Sequence, residues 1–242
     1  MPIRKPDNDL KGLAPAPGWD ARYDWDGFIP FEQLPRQFNP ASQRVITANQ
    51  KIVGDDYPYF LTSEWALPFR ANCITALMDA RQKHSMHSFA DIQKDTISLA
   101  AQELLPMLRK TAPLSSRAKS ALDALSKWNG EMDANRVEPL IFNAWLREAS
   151  RQIFSDELGA DLLKDYWEQR NVHQSMVNVL RNGQERWCID TSKPASAKPQ
   201  NCNDVLSNSL ESALADLEKR YGADMSQWQW GRAHFARSEH RP

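Results

Sequence analysis

Glycine is scarce in this chain, nine residues in 242. Neither a G-x-G-x-x-G nor a G-x-x-x-x-G-K-[ST] run occurs, so loops that cradle nucleotide phosphates have no support. An excess of one charge is lacking too: 30 Lys and Arg oppose 31 Asp and Glu, for a net charge of −1. A nucleic-acid binder needs a basic excess or stripe, so no nucleic-acid partner is expected. No apolar run approaches the roughly 18 residues of a membrane helix, so no membrane span is expected. No repeat of solenoid period is visible. The opening MPIRKPDNDLKG has no apolar stretch of the kind a secretory leader carries, and no signal peptide is expected within this sequence.

Proline and tryptophan, by contrast, are plentiful at 15 and 9. Hydrophobic residues make up 41% and charged ones 25%, the composition of a folded globular chain. The length fits one large domain or two small ones. Prolines at 2, 6, 15, 17, 30, 35, 40 and 58 forbid long helices in the first 62 residues, because proline lacks an amide N–H and crowds the preceding turn. That segment reads as an arm of loops with two short strands, Arg22–Trp25 and Arg44–Ala48.

From residue 63 the apolar spacing becomes helical. Ser63 is expected to cap a helix reaching Arg81, with Pro68 interrupting its first turns. Ser88 is expected to cap a second, whose stripe is Phe89, Ile92, Ile97, Leu99, Ala100, Leu104 and Leu105. Ser115 opens a third, stopped by Asn129-Gly130. Leu140, Ile141, Ala144, Trp145, Ala149 and Ile153 define a helix over 138–155, and one or two more fill 160–181. Residues 183–202 read as a polar loop. A last helix over about 203–220 rests on Val205, Leu206, Leu210, Ala213, Leu214 and Leu217, and ends at Tyr221-Gly222. The expected fold is therefore mainly α, about six helices over 63–224, with a proline-rich, partly extended arm over 1–62 and an aromatic, basic tail over 225–242.

Several candidate sites reduce to ordinary structure. Ser116-Arg-Ala-Lys119 has the S-x-x-K spacing of serine β-lactamases but lacks their companion motifs, and helix capping explains its serines. His84 and His87 have ligand-like spacing but no Glu or Cys to complete a metal site. Trp145 and Trp167 fall on apolar helix faces and read as core. Trp19, Trp25 and Trp65 lie in or beside the arm, where they would line a ligand pocket or staple the arm down. Cys188 and Cys202 would be free thiols in a reducing compartment. In an oxidising one they would close a loop of about 15 residues, worth roughly 3 kcal/mol in the chain-entropy picture.

One ordered set of residues is far more specific. It runs Gly18-Trp-Asp-Ala-Arg-Tyr-Asp-Trp25-Asp-Gly27-Phe-Ile-Pro30-Phe31, Leu34-Pro35, Asn39-Pro40, Ile46-Thr-Ala-Asn49-Gln, Tyr57-Pro58, and Trp65-Ala-Leu-Pro68-Phe-Arg70-Ala-Asn-Cys-Ile74. This resembles the β chain of the penicillin acylase (penicillin amidase) family, which belongs to the N-terminal-nucleophile hydrolases. Looser likeness continues through Ile92-Gln93, Asp95, Ser98, Trp128, Ile141-Phe142, Trp145, Trp187-Cys188, Cys202 and Tyr221-Gly222 to Trp230-Gly231 and His234.

The resemblance implies an αββα parent fold whose strands lie mostly outside this chain. It also implies a self-processing precursor whose new N-terminal Ser, absent here, attacks an acyl amide. The chain alone is then expected to be inactive, with the α chain and the rest of the β chain as its partners and a periplasmic or secreted location. The substrate class would be a β-lactam side chain, an N-acyl homoserine lactone or a similar acyl amide. The family pattern puts an oxyanion-binding Asn at Asn49 and an Arg near the nucleophile's amine at Arg70. Trp25 and Trp65 become candidate substrate contacts, and Cys188–Cys202 a candidate disulfide. Family calcium ligands do not map cleanly: Glu64 lies in the region, without the Asp the pattern wants, so no cofactor is expected in this chain, and a structural Ca²⁺ is left open for the full-length parent alone. A non-enzymatic helical binding module is the alternative, and residues 63–221 alone would serve it as well. The ordered set from Trp25 to Arg70 is what such a module would have no reason to carry.

Overall fold

The computed structural model describes residues 1–168, 172–181, 184–192 and 200–238. It divides into two units, Met1–His84 and Ser85–Pro242. The change to helical spacing near residue 63 thus does not coincide with this division, because the first helix lies in the first unit.

In that unit, β1 (Pro2–Arg4) pairs antiparallel with β2 (Trp25–Phe28), Pro2 facing Phe28 and Arg4 facing Trp25 across an irregular register. Gly27, at φ 79°, takes a backbone conformation that side-chain-bearing residues avoid, which is why the irregular strand β2 needs glycine there. The strand expected at Arg22–Trp25 is therefore displaced: Ala21–Tyr23 is a single 3₁₀ turn capped by Asp20, and the extended piece starts at Trp25. The strand expected at Arg44–Ala48 does not form. That stretch is a loop, and the only ladder contact nearby is an isolated parallel bridge from Gln50 to Ala66. Helix α1 is Phe69–Asp79, not a helix from Ser63, because Pro68 sits at its N-cap and the residues just before it run extended to reach that bridge. Only Asn8, Ile29 and Ala71 are buried in this unit, while Trp19, Trp25, Phe28, Phe31, Phe38 and Ile52 stay exposed.

The second unit is helical and holds the hydrophobic core. Its helices are α2 (Met86–Gln93), α3 (Leu99–Leu108), α4 (Ser116–Lys127), α5 (Glu138–Glu168), α6 (Val172–Arg181), α7 (Cys202–Tyr221) and the one-turn α8 (Trp230–Ala233). Where the spacing predicts one helix from Ser88 to Leu105 there are two. Ser85, not Ser88, is the N-cap of α2, and Ser88 completes a capping box by accepting the Ser85 N–H at 2.9 Å. The break comes where Ile97 bridges Glu131. The Ser98 N–H donates to Gly130 O at 2.9 Å, the Met132 N–H donates to Thr96 O at 3.0 Å, and Ser98 then caps α3. A local pairing with a distant segment thus overrides the helical spacing. Helix α5 is kinked at Gly159, whose φ of 67° and ψ of 176° are not helical.

The core is built on α5 and α7. Ile141, Trp145, Ala149 and Ile153 recur every four residues on α5 and are fully buried, facing Leu206, Leu210 and Leu214 of α7. Three buried tryptophans each satisfy their indole N–H. Trp145 donates to Leu206 O (3.0 Å) and to Ser209 Oγ (3.1 Å), Trp128 to Glu131 O (2.8 Å), and Trp228 to Gly222 O (2.8 Å). Cys188 and Cys202 are bonded to one another, with Cα atoms 5.0 Å apart, tying a 3₁₀ turn at Glu185–Cys188 to the start of α7. Among the described residues, no helix is long and apolar enough to cross a membrane.

Candidate active site

The first unit gathers Asn49 and Arg70 although 21 residues separate them. Arg70 is in the first turn of α1, and its exposed side chain reaches back over the loop. There Nη2 donates to Asn49 Oδ1 at 2.6 Å and to Ala48 O at 2.8 Å. A guanidinium has donors only, so it can meet the amide of Asn49 only through the oxygen. The Nδ2 amide hydrogens are left as the free end of the side chain.

The backbone that carries Asn49 is in the left-handed region, φ 66°. Asparagine tolerates that conformation better than other residues with a Cβ. The turn is held by hydrogen bonds on successive peptide groups. Gln50 Nε2 donates to Ile46 O (3.3 Å), the Ala48 N–H donates to Gln50 Oε1 (2.6 Å), Arg70 takes Ala48 O, and the Ala66 N–H takes Asn49 O (2.9 Å). Asn49 is therefore fixed in backbone and side chain at once, by groups arriving from the Trp65-to-Arg70 segment and from its own neighbour. A cavity of about 730 Å³ opens beside the turn, with Val45, Ile46, Ile52, Val53 and Tyr57 among its walls.

Trp65 is half-buried one residue before Ala66, hence next to the turn, and lines a neighbouring hollow with Tyr59 and Phe60. Trp25 is half exposed on β2, with the Arg4 guanidinium 4.8 Å from its ring centre. Glu64 is exposed, and its N–H is held by Thr62 Oγ1 at 3.1 Å. Among the described residues no three His, Cys, Asp or Glu side chains gather in one place.

Of the other candidates, Ser116 and Lys119 are exposed on α4, where Ser115 caps the helix by accepting the Ala118 N–H at 3.0 Å. His84 Nε2 lies 2.9 Å from Met78 O, and His87 is exposed 3.8 Å from Asp91. Sequence reasoning singles out Asn49 and Arg70 but misses Gln50 and Ala66. Gln50 lies inside the Ile46-Thr-Ala-Asn49-Gln run, but a side chain folding back on its own loop leaves no periodicity to read.

The chain is thus mainly helical, with the Asn49 amide pinned by Arg70 in its first unit. The solved thermostable penicillin G acylase from Alcaligenes faecalis superposes on it with a TM-score of 0.64 at 19% identity, over 94% of this chain and 45% of that one. The chain belongs to the penicillin amidase family, whose model matches residues 1–242. It is 32% identical to the acyl-homoserine lactone acylase QuiP of Pseudomonas aeruginosa, over 93% of this chain and 28% of that protein. It is 27% identical to the penicillin acylase 2 proenzyme of a Pseudomonas species, over 99% of this chain and 30% of that protein. The chain thus spans somewhat under a third of the length of these relatives.

Proposed function

We propose that this chain is part of an acylase-type amidohydrolase that cleaves an acyl amide, of the N-acyl homoserine lactone or β-lactam side-chain class, and that Asn49 supplies an oxyanion donor. The observation that carries the reading is the 2.6 Å bond from Arg70 to Asn49 Oδ1, which leaves a neutral NH₂ pointing away from its anchor. A neutral donor suits the work. It stabilises the negative charge of a tetrahedral intermediate and then releases a product carboxylate that a fixed cation would hold.

In this scheme a Ser at the start of a processed chain, outside these 242 residues, attacks the amide carbonyl. Its Oγ–C bond forms while the hydroxyl proton passes to the α-amine, directly or through a water. An α-amine is suited to this because its ordinary pKa of about 7.7–8.0 lies near neutrality. The carbonyl oxygen becomes the oxyanion that Asn49 Nδ2–H meets. Collapse breaks the C–N bond, and the leaving amine takes the proton. Water then attacks the acyl ester by the same route, releasing the acid and restoring the Ser. Arg70 acts twice, orienting the Asn49 amide and placing a positive charge that favours the uncharged amine.

Two features support the setting. The exposed aromatic residues of the first unit are those expected of a segment that other parts of a longer protein cover. The Cys188–Cys202 bond suits an oxidising, periplasmic or extracellular location.

The test is the protein made from its complete reading frame, assayed against a long-chain N-acyl homoserine lactone and a chromogenic phenylacetamide, with intact mass and N-terminal sequencing of its chains. Two chains, one starting with Ser and containing these residues, together with amide hydrolysis, are expected. A single uncut chain with no hydrolysis of either substrate would overturn the reading.

A further inference from the structure

We propose that Gln50 is a positioning residue for Asn49, through a side-chain clasp on the two peptide groups that lead into the left-handed turn. The inference rests on the acylase reading and adds to it the group that holds the oxyanion donor in place.

The peptide groups around Asn49 form a series. Ile46 O belongs to the group joining 46 to 47, and the Ala48 N–H to the one joining 47 to 48. Gln50 holds both, donating to the first and accepting from the second. Ala48 O belongs to the group joining 48 to 49 and is held by Arg70, and Asn49 O to the group joining 49 to 50 and is held by the Ala66 N–H. The φ of Asn49 is the torsion between the last two groups. At 66° it is the conformation the chain leaves most readily, since a rotation of the preceding peptide group would return it to the ordinary region.

Arg70 alone is a poor lock for that group. Its Nη2 also serves the Asn49 side chain, and its arm is long and exposed. Gln50 holds the adjoining 47–48 group by accepting the Ala48 N–H at 2.6 Å, so that Ala48 is held on both of its peptide groups, and the bond closes over only two residues, so holding it orders little additional chain. The backbone of Gln50 meanwhile bridges Ala66, four residues before Arg70. One residue therefore sets the register of the segment that delivers Arg70 and fixes the loop that presents Asn49. Donor placement to within a fraction of an ångström is what oxyanion stabilisation requires, so a loosened turn costs turnover rather than substrate binding.

The experiment uses the protein from its complete reading frame, with kcat expressed per correctly processed chain and KM measured beside it. Gln50→Met keeps the length and removes both hydrogen bonds. It is expected to lower kcat about tenfold with KM within a factor of two. Gln50→Glu keeps the acceptor for the Ala48 N–H but sets a carboxylate oxygen against Ile46 O in place of the donor. It is expected to recover part of the loss. In an Asn49→Gly background, Gln50→Met is expected to have no further effect on kcat, since there is no longer a donor to place. Asn49→Gly lowering kcat while Gln50→Met leaves it unchanged would overturn the role of Gln50 alone. That role also falls if the two losses multiply in the double variant, or if Gln50→Met lowers only the yield of folded, processed protein. An unchanged kcat in Asn49→Gly would overturn the oxyanion role of Asn49 itself, and with it this inference.

Discussion

Arg70 Nη2 donates to Asn49 Oδ1 at 2.6 Å, and that contact decides which end of the Asn49 amide is free. Either orientation of an isolated amide would suit a turn. Beside a guanidinium only one does, because two sets of N–H donors cannot face each other.

Replacing Arg70 should therefore have two separable consequences in the complete enzyme. Arg70→Met lets the amide rotate, and kcat is expected to fall at least tenfold. It also removes a positive charge, so the nucleophile's α-amine should hold its proton more tightly. The base must be deprotonated to work, so the acid limb of the kcat/KM profile should move to higher pH. An unchanged limb would show that Arg70 acts through Asn49 alone.

In the helical unit, Glu103 of α3 accepts from His173 (2.8 Å) and Arg181 (2.9 Å) of α6. These partners, His173 foremost, hold its carboxyl below the ordinary value of 4.5 despite some loss of hydration. The folded state therefore releases this proton more readily than the unfolded chain does. Its contribution is present above about pH 4.5 and is lost as pH falls through the depressed value. Urea unfolding at pH 7 and at pH 3.5 should show Glu103→Gln less acid-sensitive than the parent protein. Equal sensitivity would mean that the α3–α6 bridge does not contribute to acid unfolding.

The Cys188–Cys202 bond closes a separation of 14 residues. A loop of that size is worth roughly 3 kcal/mol in the chain-entropy picture. For a chain of this length that corresponds to about 6–12 °C in Tm. Thermal melts with and without a reductant should differ by that much, and coincident melts would show the bond to be energetically idle.

Trp145→Phe removes an indole N–H with two partners from a fully buried position and leaves a void beside α7. The expected loss is about 2–3 kcal/mol. Trp25→Phe, on a half-exposed ring, should stay within about 0.5 kcal/mol. Denaturant midpoints separate the two, and equal losses would contradict the division between a cored helical unit and an uncored first one.

How much of this is legible in the sequence follows the range of the forces involved. The four-residue recurrence of Ile141, Trp145, Ala149 and Ile153 reports a buried helix face directly, and Ser115 and Gly222 mark ends through local bonds. The break at residues 94–98 is not legible, because it comes from pairing with residues 130–132 rather than from any local signal. The Arg44–Ala48 segment looks extended by composition, yet Gln50 and Arg70 fold it into a turn. Asn49 and Arg70 are reached through resemblance to a family. Their mutual contact, and the clasp by Gln50, belong to tertiary structure and appear only there.

The most direct test of the central claim is turnover by Asn49→Gly in the complete enzyme. Asn49→Ala is the weaker probe, since alanine at φ 66° adds backbone strain to the loss of the amide. Glycine accepts that φ freely, so the variant loses the side-chain amide, donor and Arg70 contact together, without added backbone strain. The account predicts normal processing, an unchanged Tm and a kcat lowered about 100-fold or more. Normal processing with an unchanged kcat would contradict it.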